Sequence, residues 1–353
     1  VANNSTYQNQ LVSYVESING DSDLSLAQAE TDFKGFTTHQ QSALVDQFFF
    51  NELLLSGRAA NSGSGVGFAQ GYAAIDAFYP GSRGSQSPYS GDLTLTSSEI
   101  YTLSGGNISL LVPGGQIDVG LANPPSTIAA KGASSLGIVA QGAGDVSIFS
   151  RGDVNVNQSR VFTLGGGNIL IWSNEGSIDA GNGSKSSLSV PPPLVLINAN
   201  GTISLDFAGS LASGSGIRTI QTSSAVPPGN VDLDAPVGTV NAGDAGIGAS
   251  GNINIAAAHV IGIDNISFGG TSAGVPSDVS NLAASLSGAS SVASGATSQA
   301  TTSVSAQSEA NKEIAPLAQN ALSWLDVFVT GLGEENCKPS DVECLKRQTK
   351  VSQ

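Results

Sequence analysis

Hydrophobic residues along the chain keep two different periods, and the change falls near residue 90. Between residues 5 and 60 they recur at helical spacing: Tyr7, Leu11, Tyr14, Val15 and Ile18 share one face of a helix that Gly20 is placed to end. Ser25 with Gln28, and Thr37 with Gln40, match the capping box, in which side chain and backbone satisfy each other at a helix start. The second box predicts a helix carrying Leu44 to Leu55 and stopped by Gly57. The stretch AANSGSG that follows reads as a hinge, so residues 1–60 form a helical segment and 61–90 a linker.

From Gly91 the period is two. GDLTL, GDVSIF, GDVNVN, GNVDLD and GNINIA are alternating strands of about five residues, each opened by Gly and then Asp or Asn. Residue 91 laid over residue 152 aligns thirty residues without a gap, and thirteen are identical, among them Gly105, Gly106, Asn107, Ile108, Ile117 and Asp118. The offset is 61, and from Gly167 to Gly229 it is 62. A fixed period of short strands and Gly turns is the mark of a solenoid, here expected to divide into about three coils of roughly twenty residues per repeat. The inward side chains would be Ile108, Leu110, Ile117, Ile169, Ile171, Ile178, Val231, Leu233 and Val240, stacked in apolar ladders. The expected fold is therefore mainly β, a right-handed parallel β-helix over residues 91–276.

Beyond it, residues 277–312 are low-complexity Ser, Ala and Thr, read as a flexible spacer. Residues 313–353 form a partly helical tail in which Leu317, Ala321, Leu325, Phe328 and Leu332 share one helical face.

Composition sharpens this in two places. A formal charge of −15 with only 13 basic residues speaks against nucleic acid, which needs clustered Lys and Arg. The chain has no Met at all and starts at Val1 without a signal-like stretch, so a piece of a longer polypeptide is expected. No apolar run reaches the length of about 18 residues that would span a bilayer as a helix.

The strand motifs YSGDLTLTSSEIYTLSGGNISLLVPGGQIDVGLA, GDVNVNQSRVFTLGGGNILIWSNEGSIDAG and PPGNVDLDAPVGTVNAGDAGI resemble the C-terminal region of filamentous-haemagglutinin-family exoproteins, as does GYAAIDAFYPG. The resemblance covers nearly the whole chain to about residue 270. It implies a bacterial surface protein, exported through an outer-membrane two-partner-secretion transporter and folded outside the cell as a β-helical rod used in adhesion to a host-cell or surface receptor or glycan. The localisation implied is secreted and cell-surface, with outer-membrane association.

Cys337 and Cys344 are the only cysteines. In an exported chain they are expected to pair, which would contribute about 2.5 kcal/mol by closing so small a loop. Similarity to high-molecular-weight adhesins of the same route implies that CKPSDVEC is a plug held in the transporter. A simple terminal clip, or a reduced pair, is the other reading.

Enzymes also occur on β-helices, and a polysaccharide-binding or polysaccharide-cleaving protein is the alternative. Asp118 and Asp179 are equivalent in the repeat, but three coils would put them roughly 14 Å apart, beyond the reach of a carboxylate pair. Asp92 and Asp153 fail likewise, and all four read as turn residues bonding their own backbone. Arg151, Arg160 and Lys185 have no acid cluster by spacing, and His39 and His259 lack partners at metal-ligand spacing. Neither catalysis nor a cofactor nor a metal is expected. Among the Asn-x-Ser/Thr sites, Asn182 and Asn200 fall in loops, and the loop 181–200, with its PPPL, is a candidate for ligand contact. The helical segment is expected either to cap an open coil end or to be an inserted binding module.

Overall fold

A computed structural model describes residues 4–63, 65–121, 136–184, 194–197, 203–206, 214–222 and 224–276, of which 194–197 and 203–206 are described by backbone alone. The expected spacer 277–312 and the tail 313–353, with Cys337 and Cys344, lie outside the described residues, as do Lys185, Asn200 and the three prolines of PPPL.

Strands from Leu93 onward stack in three columns, every pair within a column parallel. The first column holds β1 (Leu93–Thr94), β4 (Ile117–Asp118), β7 (Val154–Asn155), β10 (Ile178–Asp179) and the second halves of β14 (Val231–Asn241) and β16 (Ile253–Ile261). The second holds β2 (Glu99–Thr102), β5 (Gly137–Ala140), β8 (Arg160–Thr163), β13 (Gly216–Thr219), β15 (Ile247–Ala249) and β17 (Ile266–Phe268). The third holds β3 (Ile108–Val112), β6 (Val146–Ser150), β9 (Ile169–Ser173), the first halves of β14 and β16, and β18 (Ser272–Ala273). One strand from each column makes a coil, and six coils follow one another in a parallel β-helix. A separate antiparallel pair, β11 (Leu194–Ile197) with β12 (Ile203–Asp206), stands outside the three columns.

Inward side chains form the expected ladders. Ile108, Val146, Ile169, Val231 and Ile253 are in direct register, and Leu110, Ile148, Ile171, Leu233 and Ile255 run beside them. Ile117, Val154, Ile178 and Val240 do the same in the first column. All nine residues expected inside belong to this core, eight of them buried and Leu110 packed against its edge.

The repeat counts coils differently from the expectation. Ile117 pairs with Val154 and Val154 with Ile178, so an offset of 61 spans two coils, not three. Ile169 pairs directly with Val231, so the next offset, of 62, spans a single coil. A bare coil is the step from Leu93 to its partner Ile117, 24 residues, and the longer steps contain chain looped out between strands. Similar offsets thus hide different numbers of coils.

Glycines at the corners set how closely coils stack. A Cβ on Gly167 would overlap the carbonyl of Gly144 in the preceding coil, so no other residue fits there without shifting the backbone.

Four helices precede the solenoid. Helix α1 (Ser5–Asn19) is capped by the Asn4 side chain and ended by Gly20 in the left-handed conformation. Helices α2 (Leu26–Gly35) and α3 (Thr38–Ala60) open on the two expected capping boxes. Helix α3 does not stop at Gly57 but runs a turn further, and residues 61–90, expected as a linker, contain α4 (Ala69–Phe78). Tyr7, Leu11, Val15, Ala29, Leu44 and Phe48 bind the first three helices into a small core of their own.

The helices lie along one flank of the solenoid. Phe49, Phe50, Leu53, Ala74 and Ile75 pack on Phe149, Leu170 and Trp172, the outward residues of β6 and β9. Phe149 meets Phe49 edge-on at 5.2 Å and stacks on Tyr79 at 5.6 Å, while Trp172 takes Phe68 and Tyr72 edge-on at 5.6 and 6.2 Å. Three consecutive phenylalanines make sense here: Phe48 faces α1, and Phe49 and Phe50 face the solenoid. Among the described residues no helix is long and apolar enough to cross a membrane.

Candidate functional site

Two outward columns run down the third face. One is Leu111, Phe149, Trp172, Asp234 and Ala256, covered over most of its length by α3 and α4. The other is Ser109, Ser147, Leu170, Asp232 and Asn254, and it floors a groove whose far wall is α3. The near wall is the corner row Asn107, Asp145, Asn168, Asn230 and Asn252.

This corner row is a ladder. Each side-chain oxygen accepts from the backbone N–H one coil on: Asn107 from Asp145 (3.0 Å), Asp145 from Asn168 (2.7 Å), Asn168 from Asn230 (2.9 Å), Asn230 from Asn252 (2.8 Å) and Asn252 from Thr271 (2.8 Å). Amide N–H groups continue it, Asn168 donating to Asp145 and Asn230 to Asn168, each at 3.1 Å. With Thr271 as its last rung the row takes five steps of strand spacing and is about 24 Å long.

Two cavities follow the row, of about 720 and 330 Å³, and Arg58, Asn230 and Asp232 line both. At that waist the Arg58 guanidinium, half exposed, grips the buried Asp232 carboxylate through Nε (2.8 Å) and Nη2 (3.0 Å). The carboxylate raises the Arg58 pKa. One turn on, the Asn61 amide donates to the Asn254 side chain and the Ile255 carbonyl. Helix α3 therefore runs along the stack, from Phe149 in the second coil to Asn254 in the fifth, and closes the groove along its length. Asp46 lines the larger cavity, and burial raises its carboxyl pKa. His39 stands at the same cavity, exposed, while His259 lies on β16 with neither a strand pair to the groove nor a cluster beside it. Among the described residues no group of His, Cys, Asp and Glu could hold a metal ion.

The expected site residues fall elsewhere. Asp118 and Asp179 are two coils apart, about 9.6 Å, closer than the roughly 14 Å expected. That approaches the carboxylate separation of inverting glycosidases, yet both groups are committed to a ladder in the first column. Asp118 accepts from Gln116 Nε2 (2.9 Å) and Asn155 Nδ2 (3.0 Å), and Asp179 from the Gly181 backbone (2.7 Å) and Asn241 Nδ2 (2.9 Å). Asp92 and Asp153 accept from the backbone N–H of Gln116 and Ser177 in the next coil, not from their own turns. Arg151 and Arg160 each hold one acid, Glu175 at 2.9 Å and Glu99 at 3.0 Å, which spacing had not revealed. Asn182 is exposed.

The groove itself was missed in the sequence. Its signal was present: in VSIFS and ILIWS the outward positions Phe149, Leu170 and Trp172 are apolar, which breaks polar alternation and marks a face that something covers.

Solenoid, flank helices and groove together define a parallel β-helical protein with an elongated polar cleft along its axis. Residues 166–277, which include coils four to six, match the family model described as filamentous haemagglutinin family outer membrane protein. The match agrees with the resemblance carried by the strand motifs, and the setting that goes with it is the cell surface and outer membrane. No curated protein and no solved structure matches the chain.

Proposed function

We propose that the chain is the binding part of a secreted surface adhesin and that the groove along α3 holds an uncharged polysaccharide of the surface to which it adheres. The observation that carries this is the shape and chemistry of the groove: long, open, and walled by amides and hydroxyls rather than by a charged cluster. The row uses at most one N–H of each amide, which leaves another to donate to the hydroxyls of an extended sugar chain, and the floor hydroxyls of Ser109 and Ser147 can both donate and accept. An acidic glycan fits poorly. Asp46 and Asp145 line the groove, Arg58 is taken by Asp232, and the whole chain carries a formal charge of −15.

The solenoid is taken to wind right-handed, the hand that parallel crossovers overwhelmingly adopt. Export passes through an outer-membrane two-partner-secretion transporter, and the tail, with Cys337 and Cys344 paired, holds the rod in it. The role is adhesion, not cleavage: Asp118 and Asp179 line neither cavity of the groove and are bonded into their ladder.

Binding of the whole chain to a panel of neutral and acidic polysaccharides tests the ligand class. Retention on neutral members only supports it, and retention on acidic members or on none contradicts it. For the tail, Cys337→Ser/Cys344→Ser in the full secreted protein is expected to move it from the cell surface to the medium. Unchanged retention would remove the anchor from the account.

A further inference from the structure

We infer that the seat of α3 on the solenoid is a proton-operated latch built on Asp234, closed while that carboxyl group carries its proton and released when it ionises. Asp234 lies in the outward column between Trp172 and Ala256, where Gly57 of α3 meets the sheet. It is fully buried, and neither carboxyl oxygen has a hydrogen-bond partner. Gly57 rests directly on it, so that a Cβ there would overlap the carboxyl group. Ser56, also fully buried, has its hydroxyl without a partner, and so does the indole N–H of Trp172 beside it.

The charged groups around it are few. Its own strand contributes Asp232, a like charge two residues away, and α3 contributes Arg58. Both guanidinium bonds of Arg58 go to Asp232. The neighbouring strands present Trp172 from β9 and Ala256 and Asn254 from β16, none of them charged. An ionised Asp234 would sit in a dry contact, beside another carboxylate, with the nearest cation already engaged. A neutral one fits.

Burial first, then Asp232, raises the Asp234 pKa well above that of an ordinary carboxyl group, while Arg58 opposes the shift. The sign follows. A group whose pKa is higher docked than undocked stabilises the docked state fully below its undocked value, and this is lost as pH rises through the docked value. The latch therefore closes in acid and loosens toward neutral and alkaline pH. Because α3 is the far wall of the groove, the same proton decides whether the groove exists, whatever the groove binds.

Trp172 reports the state directly, since its ring is fully buried beneath α4. In the whole chain with Trp324→Phe, which leaves Trp172 as the lone indole, emission is followed from about pH 5 to about pH 9 together with amide exchange of residues 44–58. Emission is expected to shift to the red as pH rises. Exchange, corrected for its intrinsic pH dependence, is expected to rise by up to about tenfold per pH unit between the undocked and docked values, the slope of a single proton, and to level off above the docked one. Asp234→Asn, which cannot ionise, is expected to stay docked throughout, and Gly57→Ala to stay released throughout. A flat response in the chain with native Asp234, the same titration in Asp234→Asn, or a docked Gly57→Ala would each overturn the latch. If Asp234→Asn loses its solenoid circular dichroism, Asp234→Ala takes its place, and the native titration decides on its own.

Discussion

Asn168 bonds to the coil on either side of it, and Gly167 next to it leaves no room for a side chain. The two residues allow opposite tests of how coils are held together. Asn168→Ala removes exposed side-chain bonds that water can replace in part, and is expected to cost about 1 kcal/mol. Gly167→Ala puts a methyl group into the Gly144 carbonyl and forces coils apart, at about 3 kcal/mol. Denaturant midpoints of the two variants check the order, and a larger loss for Asn168→Ala would contradict it. Both residues were visible in the sequence as a recurring GGN. What spacing along the chain does not reveal is the partner of each Asn. Asn168 meets Asp145, 23 residues back, and Asn230, 62 ahead, because the chain looped out between coils differs in length. The same uncertainty put Asp118 and Asp179 three coils apart instead of two.

At the level of elements, the docked helices are held by a short aromatic contact. Trp172→Ala removes a fully buried ring that meets Phe68 and Tyr72 and lies under Gly71. A loss of about 3 to 5 kcal/mol is expected from such a truncation. It is expected to fall on the α3 and α4 contact, seen as faster amide exchange in residues 44–78 with the solenoid strands still protected. Equal loss of protection in β6 and β9 would show that helices and solenoid unfold as one. The starts of α2 and α3 were legible because a capping box is a local device, complete within four residues. Gly57 was not, since a helix end and a close approach to another surface both call for Gly. Helix α4 was missed for a related reason: AQGYAAIDAF contains Gly71, and Phe68 ahead of it supplies no side-chain cap. Its evidence lies in tertiary packing on Trp172, which no local pattern records.

For the whole molecule, the solenoid supplies a straight polar row of about 24 Å and the helices turn it into a groove by lying beside it. Neither part forms that cleft alone. The claim that the groove is the adhesive surface is tested most directly by filling it. Ser147 is an outward residue of β6 on the groove floor and takes no part in the corner ladder, whereas Thr94 is exposed on another face of the solenoid. Binding of the whole chain to the neutral polysaccharide that it retains best is compared for Ser147→Trp and Thr94→Trp, with thermal unfolding as the check on folding. The account predicts at least a tenfold weaker affinity, about 1.4 kcal/mol, for Ser147→Trp and none for Thr94→Trp. Equal affinities in the two folded variants would contradict it and move the binding surface away from the groove.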